Sequence, residues 1–229
     1  QALELGEESL ALFREEGARW EMAHALPLLG QVHLDQGNYD QAGELSEESL
    51  VNFREQGDKW GVAISLRNLG LVAHYQKDHK KAETLCEQSL DLCREIGDKW
   101  GIAHSLRNLG LVAVYMSDYS RAEGVYRESL ALFQELGERR GVARCFEGLA
   151  AAAVGQRQPE RAALLFGASE ELRQTMGYPL TPSERTDYDR SVATLRVELG
   201  EEVFEAAWVE GRAMSLDEAI EHAIITETV

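Results

Sequence analysis

The feature that most constrains this chain is a repeat. Residues Gly57 to Ala73 recur as Gly97 to Ala113 with two changes, Val62 to Ile102 and Ile64 to His104. The offset is 97 − 57 = 40, and weaker copies lie at that offset on both sides. Trp20, Trp60, Trp100 and Arg140 are in step, as are Gly30, Gly70, Gly110 and Ala150, and Ala2, Ala42, Ala82, Ala122 and Ala162. A fixed period of this length means stacked supersecondary units, each of which buries its apolar face only against its neighbours.

Within one period the pattern resolves into two helices. Ala82, Leu85, Cys86, Ser89, Leu90 and Cys93 fall at i, i+3, i+4, i+7, i+8 and i+11, an amphipathic helical spacing. Helix A is expected over Lys59–Gln76 and helix B over His79–Ile96. Gly97 ends B, because glycine tolerates the left-handed conformation after a helix, and Asp98 caps the next A. The expected architecture is all-α: antiparallel helix pairs stacked as an α-solenoid over residues 1–177. It divides into a half repeat at 1–17 and full repeats at 18–57, 58–97, 98–137 and 138–177. Because the first sixteen residues align with the second half of a repeat, the chain reads as a piece of a longer protein without its N-terminal cap.

Two departures stand out. Pro27 lies inside the first helix A and is expected to kink or delay it. In the fourth repeat Glu170 and Arg173 replace apolar residues of earlier B helices, so that face should meet something other than another repeat. Beyond Gly177 the repeat logic stops. Thr181-Pro182-Ser183-Glu184 opens a helix expected to reach Leu199, Glu201–Arg212 reads as another with Val203, Phe204, Ala207 and Trp208 on one face, and Ser215 with Glu218 starts a third to about Ile225. Residues 178–229 are expected to form a C-terminal helical cap.

Composition excludes several functions. The formal charge of −17 over 229 residues opposes nucleic-acid binding, which needs cations to displace counterions from phosphate. No apolar run is long enough for a membrane helix, and no leader pattern opens the chain. Cys86 and Cys93 sit about 10.5 Å apart along one helix, too far to pair, and a reducing cytoplasmic setting is expected. Phosphate-cradling, zinc-protease and nucleophile-elbow motifs are absent from the sequence, the histidines show no ligand spacing, and no catalytic carboxylate pair can be picked out. No catalytic residue, metal or cofactor is expected. The recurring tryptophans read as packing residues between repeats.

The pattern Asn68-Leu69-Gly70 with Ala82, Ser89 and Leu90 resembles the tetratricopeptide (TPR) repeat, in a lengthened form. The resemblance covers residues 1–177 and implies a right-handed superhelix with A helices lining a concave face. The segments Ala162–Ala168, Pro182–Tyr188 and Leu199–Met214 are similar to the ends of TPR arrays in large bacterial signalling regulators, which carry an ATPase module and in some cases a LuxR-type DNA-binding pair. No ATPase motif or DNA-binding pair is found in this sequence.

At 100° per residue, Ile64, Arg67, Asn68, Leu71 and Tyr75 point away from helix B, and His104, Arg107, Asn108, Leu111 and Tyr115 repeat the set. If the resemblance holds, this stripe lines the groove, where Asn holds a peptide backbone and Arg an acidic side chain. The alternative is that Arg67 and Asn68 pair with neighbouring helices. The two guanidinium groups are expected to be exposed, so their replacement should cost little stability. The resulting expectation is a non-catalytic interaction and sensor module of a cytoplasmic regulator. Its partner would be a protein or peptide, an acidic segment or its own ATPase module. An inducer-sensing domain using the same groove and a self-association scaffold are the alternatives.

Overall fold

The computed structural model describes residues 2–224, and the regular elements among them are twelve α-helices. In chain order these are α1 (Ala2–Glu16), α2 (Arg19–Gln36), α3 (Tyr39–Gln56), α4 (Lys59–Tyr75), α5 (His79–Ile96), α6 (Lys99–Tyr115), α7 (Tyr119–Glu135), α8 (Arg139–Gly155), α9 (Pro159–Met176), α10 (Pro182–Leu199), α11 (Glu201–Ala213) and α12 (Leu216–Ile224). Helix B of the second repeat matches its expected bounds, and helix A ends one residue early. The end of the third C-terminal helix was expected at Ile225, which lies outside the described residues. The chain divides into two compact units, the first reaching Asn108 and including Thr181–Ser183, the second formed by Leu109–Leu180 with Glu184 onward.

In the first unit consecutive helices pack in pairs, α2 with α3 and α4 with α5, and α4 also lies on α3 and α2. The apolar face of α5 packs as its periodicity implies, with Ala82, Cys86, Leu90 and Cys93 buried, and α4 is buried on the face carrying Ala63, Leu66, Leu69, Gly70 and Ala73 and over much of its opposite face as well. Phe53 is fully buried where α3 meets α4, because Gly61 leaves room for its ring. Burying such a side chain contributes about 1.5–3 kcal/mol. One polar contact recurs in this apolar layer. Ser49 Oγ lies 2.8 Å from Ser65 Oγ, and Ser89 Oγ lies 2.9 Å from Ser105 Oγ, each pair buried and sixteen residues apart.

Turn chemistry sets the helix ends. Gly17, Gly57 and Gly97 adopt φ of 65°, 69° and 71° between one pair and the next. Asp58 accepts hydrogen bonds from the backbone N–H groups of Trp60 and Gly61, and Asp78 accepts one from Lys81 N. The delay expected at Pro27 does not occur. Helix α2 starts at Arg19 and continues through the buried Pro27 to Gln36. Packing of an apolar face outweighs local propensity here.

In the second unit α7 packs on α8 and α8 on α9, and Cys145 Sγ donates to Ser129 Oγ at 3.4 Å at the position of the serine pairs. The face of α9 carrying Glu170 meets α11, as its departure from the repeat pattern implies. Trp208 Nε1 donates to Glu170 at 2.8 Å, and Arg212 donates to Glu171 at 2.9 Å. Here α9 and α11 approach so closely that a Cβ on Gly167 would overlap the Trp208 carbonyl, and one on Gly211 the Leu164 carbonyl. The packed face of α11 is therefore Phe204, Trp208 and Gly211, and Val203, expected on it, is exposed. Helix α12 lies on α9 and α7 and opens with the expected capping box: Glu218 N donates to Ser215 Oγ at 3.3 Å, and Ser215 N to Glu218 Oε2 at 2.8 Å.

Candidate functional site: the outer stripe of the A helices

The structure places the stripe residues deeper than the periodicity suggested. Arg67 is 8% exposed and Asn68 and Asn108 are each 1% exposed. Leu71 is buried, and Ile64, Tyr75, His104 and Arg107 are half-buried. In the second unit Leu111 is half-buried and Tyr115 is exposed, with its hydroxyl donating to Asp187. The expectation of exposed guanidinium groups is therefore corrected at Arg67. A single helix's periodicity identifies a face, but the helix lying beside that face covers part of it.

Each side chain has a specific setting. The Arg67 guanidinium sits 4.8 Å above the Trp100 ring, and among the described residues no carboxylate pairs with it. Burial first, and Arg107 second, pull its pKa down to about 10, so it remains charged at neutral pH. Asn68 Nδ2 donates to the Pro27 carbonyl at 3.1 Å, while Asn68 Oδ1 is buried with no hydrogen-bond partner among the described residues. Asn108 is the reverse case. Its Oδ1 accepts from Arg107 Nη2 at 2.8 Å, and its Nδ2 is buried and unmatched. Tyr75 stacks on Tyr39, with centroids 4.8 Å apart and planes at 8°. His104 lies against Trp100 at 3.9 Å.

The expected packing of the tryptophans between repeats is present at Trp60, against His24, and at Trp100, under Arg67, but it covers only part of each ring. Trp20, Trp60 and Trp100 are 64%, 43% and 39% exposed. Each offers a face to a neighbour, His24 lying 4.2 Å from Trp20 and 6.5 Å from Trp60. The rest of each ring reaches solvent. The missed signal was the spacing 60, 64, 67, 71, 75, which carries the stripe back to the tryptophan.

The unpaired Arg67 charge makes a stability prediction. A cation whose pKa falls on folding destabilises the native state at every pH below that folded value, so the penalty is fully present at neutral pH. Arg67→Met should therefore raise the unfolding free energy, by on the order of 1 kcal/mol after loss of the Trp100 stacking. Denaturant titration checks this, and a lower midpoint would mean that stacking outweighs desolvation.

Among the described residues no group of three or more His, Cys, Asp or Glu is placed to hold a metal ion, and no helix is long and apolar enough to cross a membrane. Cys86, Cys93 and Cys145 are free and buried. Stacked helix pairs in an all-α chain, with small residues at the A–B contacts, define an α-solenoid of helix-pair repeats. The family model described as tetratricopeptide repeat matches residues 21–95, 61–135 and 101–175, and the chain belongs to that family. Such repeats generally mediate protein–protein interaction and are typically non-catalytic scaffolds. Among solved structures the chain is similar to the crystal structure of BtubC (BKLC) from P. vanneervenii, at 21% identity and a TM-score of 0.63, over 97% of this chain and 91% of that one. At that identity the likeness concerns the fold alone. No curated protein matches the chain.

Proposed function

We propose that the chain is a non-catalytic interaction module that binds an extended peptide segment along the A-helix stripe of its first unit. One observation carries the reading: Asn68 presents a buried acceptor and Asn108 a buried donor, both unmatched. Leaving such groups unpaired costs about 1–3 kcal/mol each, and a peptide backbone supplies the complementary N–H and C=O. The lone Arg67 guanidinium suits an acidic side chain on the same segment, and the half-exposed Trp60 and Trp100 supply apolar contact. The setting in a cytoplasmic bacterial signalling or transcription regulator rests on the resemblance of the segments between Ala162 and Met214 and on the three free cysteines.

The test is selection of peptides from a displayed library on the full chain, followed by calorimetry against Asn68→Ala and Asn108→Ala. Each substitution should weaken selected acidic peptides roughly 10-fold, the equivalent of one buried hydrogen-bonding group. The Asn108 variant should melt only slightly below the parent, since it removes the unmatched Nδ2 but also loses the hydrogen bond that Oδ1 accepts from Arg107. Affinities equal to the parent's in both variants would move the binding surface elsewhere. A melting shift with a small polar metabolite and none with peptides would favour the inducer-sensing alternative.

A further inference from the structure

In the second unit the corresponding stripe positions are already covered. Arg140, Arg144 and Glu147 on α8 fall forty residues after Trp100, His104 and Arg107. Tyr178 lies among three guanidinium groups, its ring centroid 4.7 Å from Arg140, 5.9 Å from Arg144 and 4.9 Å from Arg173. Glu184 Oε1 meets Arg144 at 2.5 Å and Glu184 Oε2 meets Arg173 at 3.4 Å. Asp187 accepts the hydrogen bond from the Tyr115 hydroxyl, and the Tyr188 ring stands edge-on to Phe166 at 5.1 Å. Two carboxylates and the Tyr178 ring of the chain itself thus rest on the stripe side chains Tyr115, Arg140 and Arg144, while Tyr188 packs on Phe166 of α9.

The register explains why this is not simply a fifth repeat. Tyr178 stands forty residues after Glu138, so another helix A would begin near Pro179. Instead α11 packs closely on α9 through the Gly167 and Gly211 contacts, at a position that Glu47 and Glu87 leave exposed in earlier B helices. Helix α10 is left on the stripe side, held by little apolar surface. Leu195 is its one buried residue among those described, and Val197 is 86% exposed. Elements with few buried apolar contacts open locally at small free-energy cost, and contacts made by charge weaken with salt.

We propose that the segment carrying Tyr178, Glu184, Asp187 and Tyr188 is a resident acidic ligand of an anion-binding site formed by Arg144, Arg173 and Tyr115, and that an acidic peptide gains the site when α10 undocks. The contact is then autoinhibitory. It does not depend on the roles of Asn68 and Asn108.

The test uses the full chain, its Glu184→Gln/Asp187→Asn variant, and a fluorescein-labelled synthetic peptide of residues 178–192 as probe. A tethered ligand competes at millimolar effective concentration, so the variant should bind the probe at least about 10-fold more tightly than the parent. Adding Arg144→Glu should abolish that binding. Hydrogen exchange supplies the second readout: α10 amides should lose protection in the variant and at high salt, while α9 and α11 keep theirs. Equal binding by parent and variant, or none by either, overturns the proposal. So does joint loss of protection in α9, α10 and α11, which would make Glu184 and Asp187 structural staples.

Discussion

Replacing Arg173 with methionine should lower the stability of the second unit by about 3–5 kcal/mol, the range found when one partner of a buried ion pair is removed. Arg173 is buried and donates to Glu147 through Nε at 2.5 Å and Nη2 at 2.9 Å, and Nη1 reaches the Tyr178 and Pro179 carbonyls at 3.5 and 3.4 Å. Desolvation alone would pull its pKa down, but the Glu147 hydrogen bonds and charge, with Glu184, outweigh it and hold the group above its ordinary value. Methionine keeps much of the stem's packing and leaves the two carboxylates facing each other. Denaturant titration followed by circular dichroism reads the loss. Glu147→Gln on top of Arg173→Met should restore part of it, because the repulsion is then gone. An additive double variant would mean that water already screens the cluster.

Gly211→Val should have a comparable effect by another route. Its side chain would meet the Leu164 carbonyl and the Ala168 backbone nitrogen, and backbone cannot rotate out of the way as a side chain can. Helix α11 must then lift from α9, breaking the Trp208–Glu170 hydrogen bond and the Phe166–Trp208 stacking at 6.4 Å. Overpacking typically costs 1–3 kcal/mol, and a backbone obstacle should place the loss at about 3 kcal/mol or above. A red-shifted tryptophan emission with unchanged helix content would locate the damage at this contact. If the variant melts with the parent, the two helices have room that the geometry denies.

Much of the architecture was legible because each repeat states its helix twice, once by its own periodicity and once by its copy forty residues away. The bounds His79–Ile96 follow from Asp78 and Gly97, residues whose capping and left-handed roles are local. What the sequence concealed is contact between distant residues. Periodicity puts Arg67 and Asn68 side by side on α4, but their depth depends on the Trp100 ring and the Pro27 carbonyl, thirty-three and forty-one residues away. Arg173 was visibly out of pattern, yet Glu147 as its partner could not be chosen among forty acidic residues. The location of α10 was hidden for the same reason: Thr181 and Pro182 mark where a helix starts and say nothing of where it lies.

The buried pairs Ser49–Ser65 and Ser89–Ser105, with Ser129–Cys145, have a consequence for how such a chain can change over time. Each pair spans one junction between a B helix and the next A helix, and the residues around it recur with the period. Copying or excising a block of forty codons would therefore join surfaces that already fit, with every buried hydroxyl at the seam still finding its partner. A shift by any other number of residues would strand those hydroxyls in an apolar layer. Inheritance of this architecture is thus quantised: whole repeats are the heritable increments along which its length can drift without passing through an unfolded intermediate.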